Sequence, residues 1–188
     1  MAFNFKLLTG KGLITDAFAA HSCTDFNQAA NFVRYLPYGR NTDKTEPLIL
    51  FKEGLGTCGT KHAALCRLAE EQEYEEVTLW MGIFKMNRIN TPRVVPVLDK
   101  YQLPYIPEAH NYLRINGSIL DCTWPNASAG NFENDLLEEI RIQPDQIGAY
   151  KVSWHMNFLR KWCDDQKLPY TLEEIWNIRE KCIAALSG

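Results

Sequence analysis

His110-Asn111-Tyr112-Leu113-Arg114-Ile115-Asn116-Gly117-Ser118-Ile119-Leu120-Asp121-Cys122-Thr123 reads as two strands joined by Asn-Gly. That dipeptide supplies the two positive φ angles of a two-residue type I′ turn, so the turn itself sets the register. Ile115 and Ser118 flank it, and the opposite pairs become Arg114/Ile119, Leu113/Leu120, Tyr112/Asp121, Asn111/Cys122 and His110/Thr123. Alternation puts His110, Tyr112, Arg114, Ile119, Asp121 and Thr123 on one face, and Leu113, Ile115, Leu120 and Cys122 on the other. His110 and Asp121 are then diagonal neighbours, about 7–8 Å apart at the backbone and within side-chain reach. A carboxylate that holds one imidazole nitrogen leaves the other free to move protons, which is the base-and-orienter half of a catalytic triad.

A nucleophile for that pair lies upstream. The stretch Gly54-Leu55-Gly56-Thr57-Cys58-Gly59-Thr60 precedes a helical pattern with Ala64, Leu65 and Leu68 on its buried stripe, so Cys58 opens a helix. Unpaired N–H groups and the positive dipole end at that position stabilise a thiolate. An ordinary thiol has a pKa of about 8.5, and a helix start with a histidine partner lowers it. Gly56 and Gly59 are expected to leave room for a substrate carbonyl, with the Cys58 N–H as one oxyanion donor. The plainer alternative is that Cys58 packs, as most buried cysteines do. For the second oxyanion donor, Asn41 in the polar loop Tyr38 to Asp43 is favoured over Gln28, Trp80 and Trp124. Arg40, Tyr112 and Arg114 are candidate substrate contacts, against the alternative of a strand face kept polar for solubility. Trp124, directly after Thr123, borders the expected cleft.

Taken together, Gly56-Thr57-Cys58-Gly59-Thr60-Lys61-His62-Ala63-Ala64-Leu65, then His110, then Asp121-Cys122-Thr123, resembles the core of the transglutaminase-like superfamily over residues 54–124. The resemblance implies an α+β, papain-like fold in which the nucleophile helix packs on an antiparallel sheet, with added N- and C-terminal helices. It also implies a Cys58-His110-Asp121 triad acting at an amide through a tetrahedral intermediate and a thioester, as a hydrolase or acyltransferase. Peptides or small amides are the implied substrates, and no cofactor is implied. A catalytically inactive binding module on the same fold is the competing reading.

Cys58 and His62, four apart, also match the spacing of a metal half-site, but no second pair at short spacing completes it. His62 is otherwise expected to cap, line the cleft or pack, and His155 to be a core or surface histidine.

The rest of the chain narrows the setting. Its 188 residues read as one domain, 1–188, able to bury roughly 70% of the unfolded surface. Twenty basic against 23 acidic residues, net −3 with no basic stripe, argue against nucleic acid. With no long apolar run and no export signal, a soluble cytoplasmic protein with six free thiols is expected and no membrane association. A helix is expected from Thr24 through Leu36, a strand buried on both faces from Val77 to Phe84, and irregular chain across Pro92 to Pro107. Helices are expected through the C-terminal third, with Thr171 and Glu174 as a capping box. The run of glutamates from Glu70 to Glu76 reads as a solvated helix end.

Overall fold

Helix is interleaved with antiparallel sheet in a computed structural model that describes residues 3–186. Strands β1 (Val77–Asn87), β2 (Tyr105–Ile115), β3 (Ser118–Leu120) and β4 (Leu136–Ile142) lie in the order β3-β2-β1-β4. The chain divides into two compact units. The first holds residues through Met81, His110–Ala129 and Ile140–Gly148; the second holds Gly82–Ala109, Gly130–Glu139 and the chain from Ala149 onward. No helix among the described residues is long and apolar enough to cross a membrane.

In the first unit the hairpin follows the turn chemistry. Asn116 and Gly117 adopt φ of 50° and 82°, and Leu113 pairs with Leu120, Arg114 with Ile119 and Ile115 with Ser118. The ladder stops at Leu120, leaving Asp121 just beyond it. Both faces of β2 are covered, which excludes the alternative of a strand face kept polar for solubility at Tyr112: Tyr112 and Leu113 are equally buried. A strand flanked by β3 and β1 has sheet neighbours on both edges, and helix α4 (Cys58–Glu71) packs close enough that a Cβ on Gly59 would meet Asn111 Oδ1 at 3.4 Å.

Helix α4 is buried along nearly its whole length from Cys58 to Cys66. Its first turn is closed locally, since the Thr57 N–H donates to Thr60 Oγ1 at 2.9 Å and Thr60 Oγ1 donates to Asn41 Oδ1 at 2.7 Å. Helix α2 (Phe26–Tyr35) starts one residue later than its pattern suggests, because Asp25 rather than Thr24 caps it: Asp25 Oδ1 accepts the Gln28 N–H at 2.9 Å. Helix α3 (Ile49–Glu53) is the short apolar run before the glycines.

Helix α1 (Leu13–Ala20) carries no local start signal. Its cap comes from α4, where Glu71 accepts the Ile14 and Thr15 N–H groups at 3.0 and 2.7 Å and the Thr15 hydroxyl at 2.8 Å. Gly12 makes this possible, as a Cβ there would stand 2.1 Å from Glu71 Cδ. The acidic run is therefore not merely solvated: Glu71 caps α1, and Glu73 pairs with Lys11.

In the second unit the proline-rich stretch is ordered. Pro92 opens a 3-10 turn, Pro96 sits in the first turn of α5 (Val95–Lys100), and both occupy positions whose N–H has no helical partner to lose. Helices α6 (Ala149–Gln166) and α7 (Leu172–Leu186) complete this unit. The Thr171/Glu174 capping box forms, with the Thr171 N–H on Glu174 Oε2 at 2.8 Å and the Glu174 N–H on Thr171 Oγ1 at 3.3 Å. His155 is a core histidine whose Nε2 meets the Pro107 carbonyl at 2.8 Å.

Candidate active site

The three triad types converge in the first unit. His110 Nε2 donates to Asp121 Oδ2 at 2.9 Å, and a side-chain hydrogen bond joins the imidazole to Cys58. With Nε2 committed to the carboxylate, Nδ1 is the ring nitrogen left for the thiol. Asp121 is held from its other oxygen, which accepts the Thr123 N–H at 2.8 Å and the Thr123 hydroxyl at 2.5 Å. The carboxylate therefore cannot rotate away from His110 without losing two bonds. The cluster is nearly dry: Cys58 is 7% exposed and the His110 side chain 14%.

Burial by itself pushes the His110 pKa down, but the Asp121 carboxylate and the charge and hydrogen bond of Cys58 outweigh it and raise it to about 10. Burial pushes Asp121 the other way, toward protonation; the His110 charge and hydrogen bond, then His62 and Thr123, overcome that and hold it below the usual carboxylate range. The arrangement favours an imidazolium beside a carboxylate, with the Cys58 sulfur as third partner.

Three residues outside the triad pin this geometry, and none was assigned that role from sequence. His62, fully buried, uses both ring nitrogens: Nδ1 donates to the Cys58 carbonyl at 2.7 Å, and Nε2 accepts the Cys122 N–H at 2.7 Å. These bonds require the neutral tautomer with its proton on Nδ1. Burial, opposed by Asp121, depresses its pKa to about 4. Lys61, also fully buried, donates from Nζ to the Leu36 carbonyl at 2.6 Å and the Thr123 carbonyl at 2.8 Å. Arg34 adds a third tie, from Nη2 to the Asp121 carbonyl at 3.2 Å. The legible signal was a lysine and a histidine, at i+3 and i+4 from Cys58, inside an otherwise apolar helix face.

The remaining candidates separate. His62 has no nitrogen to give a metal, which removes the Cys58/His62 half-site; among the described residues no group of three or more His, Cys, Asp or Glu is placed to hold an ion. Asn41 spends its amide on the loop that carries α4, with Nδ2 donating to Glu53 Oε2 and to the Leu55 carbonyl, each at 2.9 Å. Its N–H groups are thus engaged away from an oxyanion. Trp80 Nε1 likewise donates to Thr78 Oγ1 at 2.9 Å, and Gln28 Nε2 to Asp25 Oδ2 at 3.1 Å. Tyr112 is fully buried, its ring 6.1 Å from that of His110, so it backs the imidazole instead of meeting solvent. Arg114 braces the turn through the Gly117 carbonyl at 2.8 Å and lies over Trp80. Arg40 is exposed.

Trp124 is 40% exposed and packs on Tyr38 with ring centroids 4.4 Å apart. Tyr38 bridges Gly56, and Trp124 follows Thr123, so both rings come from segments tied to the triad. The glycines do not make the open space expected of them. A Cβ on Gly56 would clash with Leu50 Cδ1 at 2.6 Å and Thr60 Oγ1 at 2.8 Å, and one on Gly59 would crowd Ile147 Cβ at 3.3 Å. Both glycines serve close packing around the start of α4. All six cysteines are free and buried.

No protein-family model, curated protein or solved structure matches the chain.

Proposed function

We propose that the chain carries out cysteine-dependent acyl chemistry at an amide or a related carbonyl, in the manner of the transglutaminase-like, papain-like enzymes that its Cys58, His110 and Asp121 segments resemble. The observation that carries the reading is His110 held between the Asp121 carboxylate and the Cys58 side chain. The Cys58 thiolate attacks the carbonyl carbon, and the negative charge passes to the carbonyl oxygen beside the N-terminal N–H groups of α4. His110 then gives its proton to the leaving amine as the tetrahedral intermediate collapses to a thioester. Water or an acceptor amine attacks that thioester, His110 takes its proton back, and Cys58 is released. Asp121 keeps the ring oriented and balances the imidazolium throughout.

The test uses intact protein and mass spectrometry, with iodoacetamide and a panel of peptide and small-molecule acyl donors, and Cys58→Ala as control. The reading expects selective, pH-dependent labelling of Cys58 and a transient acyl adduct absent from the variant. Labelling of Cys58 no faster than of the other cysteines, with no adduct, would overturn it in favour of a non-catalytic binding module.

A further inference from the structure

Lys61 is a cation with no exposed surface that the proposed chemistry does not use. It stands one helical turn from Cys58 on α4, with no exposed surface. Its ammonium reaches the carbonyls of Leu36, after α2, and of Thr123, two residues past Asp121. The stem threads past Gly56, where a Cβ would meet Lys61 Cγ at 3.2 Å. A lysine is an extravagant way to satisfy two carbonyls, since burying an ammonium costs far more than burying a neutral donor.

We propose that Lys61 is the counter-charge that allows Cys58 to ionise inside a site already holding the Asp121 carboxylate, and so is a positioning residue for the thiolate. The inference rests on the acyl-transfer reading above. Every charged or titratable group around the ammonium bears on it. Cys58 and His62 lie on its own helix, Asp121 and Cys122 on the segment after β3, and Arg34 of α2 meets Cys122 Sγ at 3.7 Å. His62 is neutral by its hydrogen bonds. Burial holds the Cys122 thiol protonated, pushing it up to about 11. That leaves Asp121 and His110 as a balanced pair, with two positive charges beside it: Arg34, which is half-buried, and Lys61, which has no exposed surface. When Cys58 loses its proton next to these groups, the Lys61 charge, which solvent does not screen, offsets the new thiolate; without Lys61 only the half-buried Arg34 opposes it. Burial lowers Lys61 itself to about 8, with Cys122, Asp121 and Cys58 opposing the drop, so the ammonium is largely charged at neutral pH.

The test follows iodoacetamide alkylation of Cys58 against pH in the full chain, for wild type, Lys61→Gln and Lys61→Met. Gln keeps a donor for a carbonyl but no charge. A charge role moves the acid limb of the profile upward by about one unit or more in both variants, a tenfold loss of rate at a pH on that limb. A profile for Lys61→Gln superimposable on wild type would overturn the proposal and leave Lys61 a structural tie. A reciprocal measurement on the wild-type sequence covers the case of variants that do not fold. Carbamidomethylation of Cys58 removes the thiolate charge, so the Lys61 ammonium, followed by NMR on nitrogen-15-labelled lysine, should titrate at lower pH than before. An unchanged Lys61 titration would overturn the proposal by itself. Absence of selective Cys58 labelling in wild type is a separate result, and it removes the acyl reading together with the role of Lys61.

Discussion

The Glu108–Arg179 pair of the second unit and the Cys58–His110–Asp121 group of the first are both buried and ionic, yet their hydrogen bonds are distributed differently. Arg179 closes on Glu108 as a fork, with Nε on Oε2 at 2.6 Å and Nη2 on Oε1, and its Nη1 donates to Glu180 at 2.5 Å. Burial favours the protonated carboxyl, but the Arg179 charge and hydrogen bonds outweigh it and keep the Glu108 pKa low. His155 stands in the field of that carboxylate, yet burial lowers its pKa. His110, also near a carboxylate, is raised to about 10. The contrast has a simple cause. The Glu108 charge is already matched by a guanidinium, whereas Asp121 has no guanidinium fork and directs its charge at an imidazole. A buried charge becomes chemistry only where a proton-moving group is left as its partner.

Substitutions that act on one cluster and spare the other sharpen this comparison. The largest effect belongs to Asp121→Asn, which stabilises the wrong imidazole tautomer and should lower turnover of an acyl donor by about ten-thousandfold. Steady-state kinetics on the folded variant check this, and a loss of less than tenfold would reduce the site to a Cys58/His110 dyad.

Next comes Arg179→Met, which strands Glu108 without its partner and should cost about 3–5 kcal/mol of stability. Thermal unfolding reads that loss, while the alkylation profile of Cys58 in the folded variant should match wild type. A displaced profile would show that the two clusters are not separable.

A smaller effect concerns pH. His62 binds protons less readily folded, at about 4, than at its ordinary 6.5, so its contribution is complete above 6.5 and is lost as pH falls toward 4. His110 has the opposite sign, contributing fully below 6.5 and losing that contribution as pH rises through about 10. Midpoints measured across the acid range should fall for wild type, and His62→Gln should flatten the fall; parallel curves would contradict the neutral, buried role of His62. The smallest effect is expected of Trp124→Ala. Because the ring is 40% exposed, stability should hardly change, while KM for an acyl donor should rise a few-fold with kcat nearly constant. An equal loss in both constants would place Trp124 in the reacting geometry itself.

What was legible in advance was what the chain decides within a few residues. Asn116-Gly117 requires positive φ at two successive positions, so the register of Leu113 to Leu120, and with it the meeting of His110 and Asp121, could be read from the turn. The start of α4 at Cys58 follows from the local helical pattern after Thr57. The remaining features depend on partners far apart in the chain. Glu71 caps α1 across 57 residues, His62 receives the Cys122 N–H across 60, and Lys61 reaches the Thr123 carbonyl across 62. Asn41 looked free to donate until Glu53 and Leu55 claimed its amide, and Tyr112 remained a candidate substrate contact until packing buried it completely. Periodicity reveals which face of an element is apolar. It carries no information about which buried donor meets which carbonyl, and that matching, forced by the cost of leaving a polar group unpaired in the core, is decided only when the elements pack.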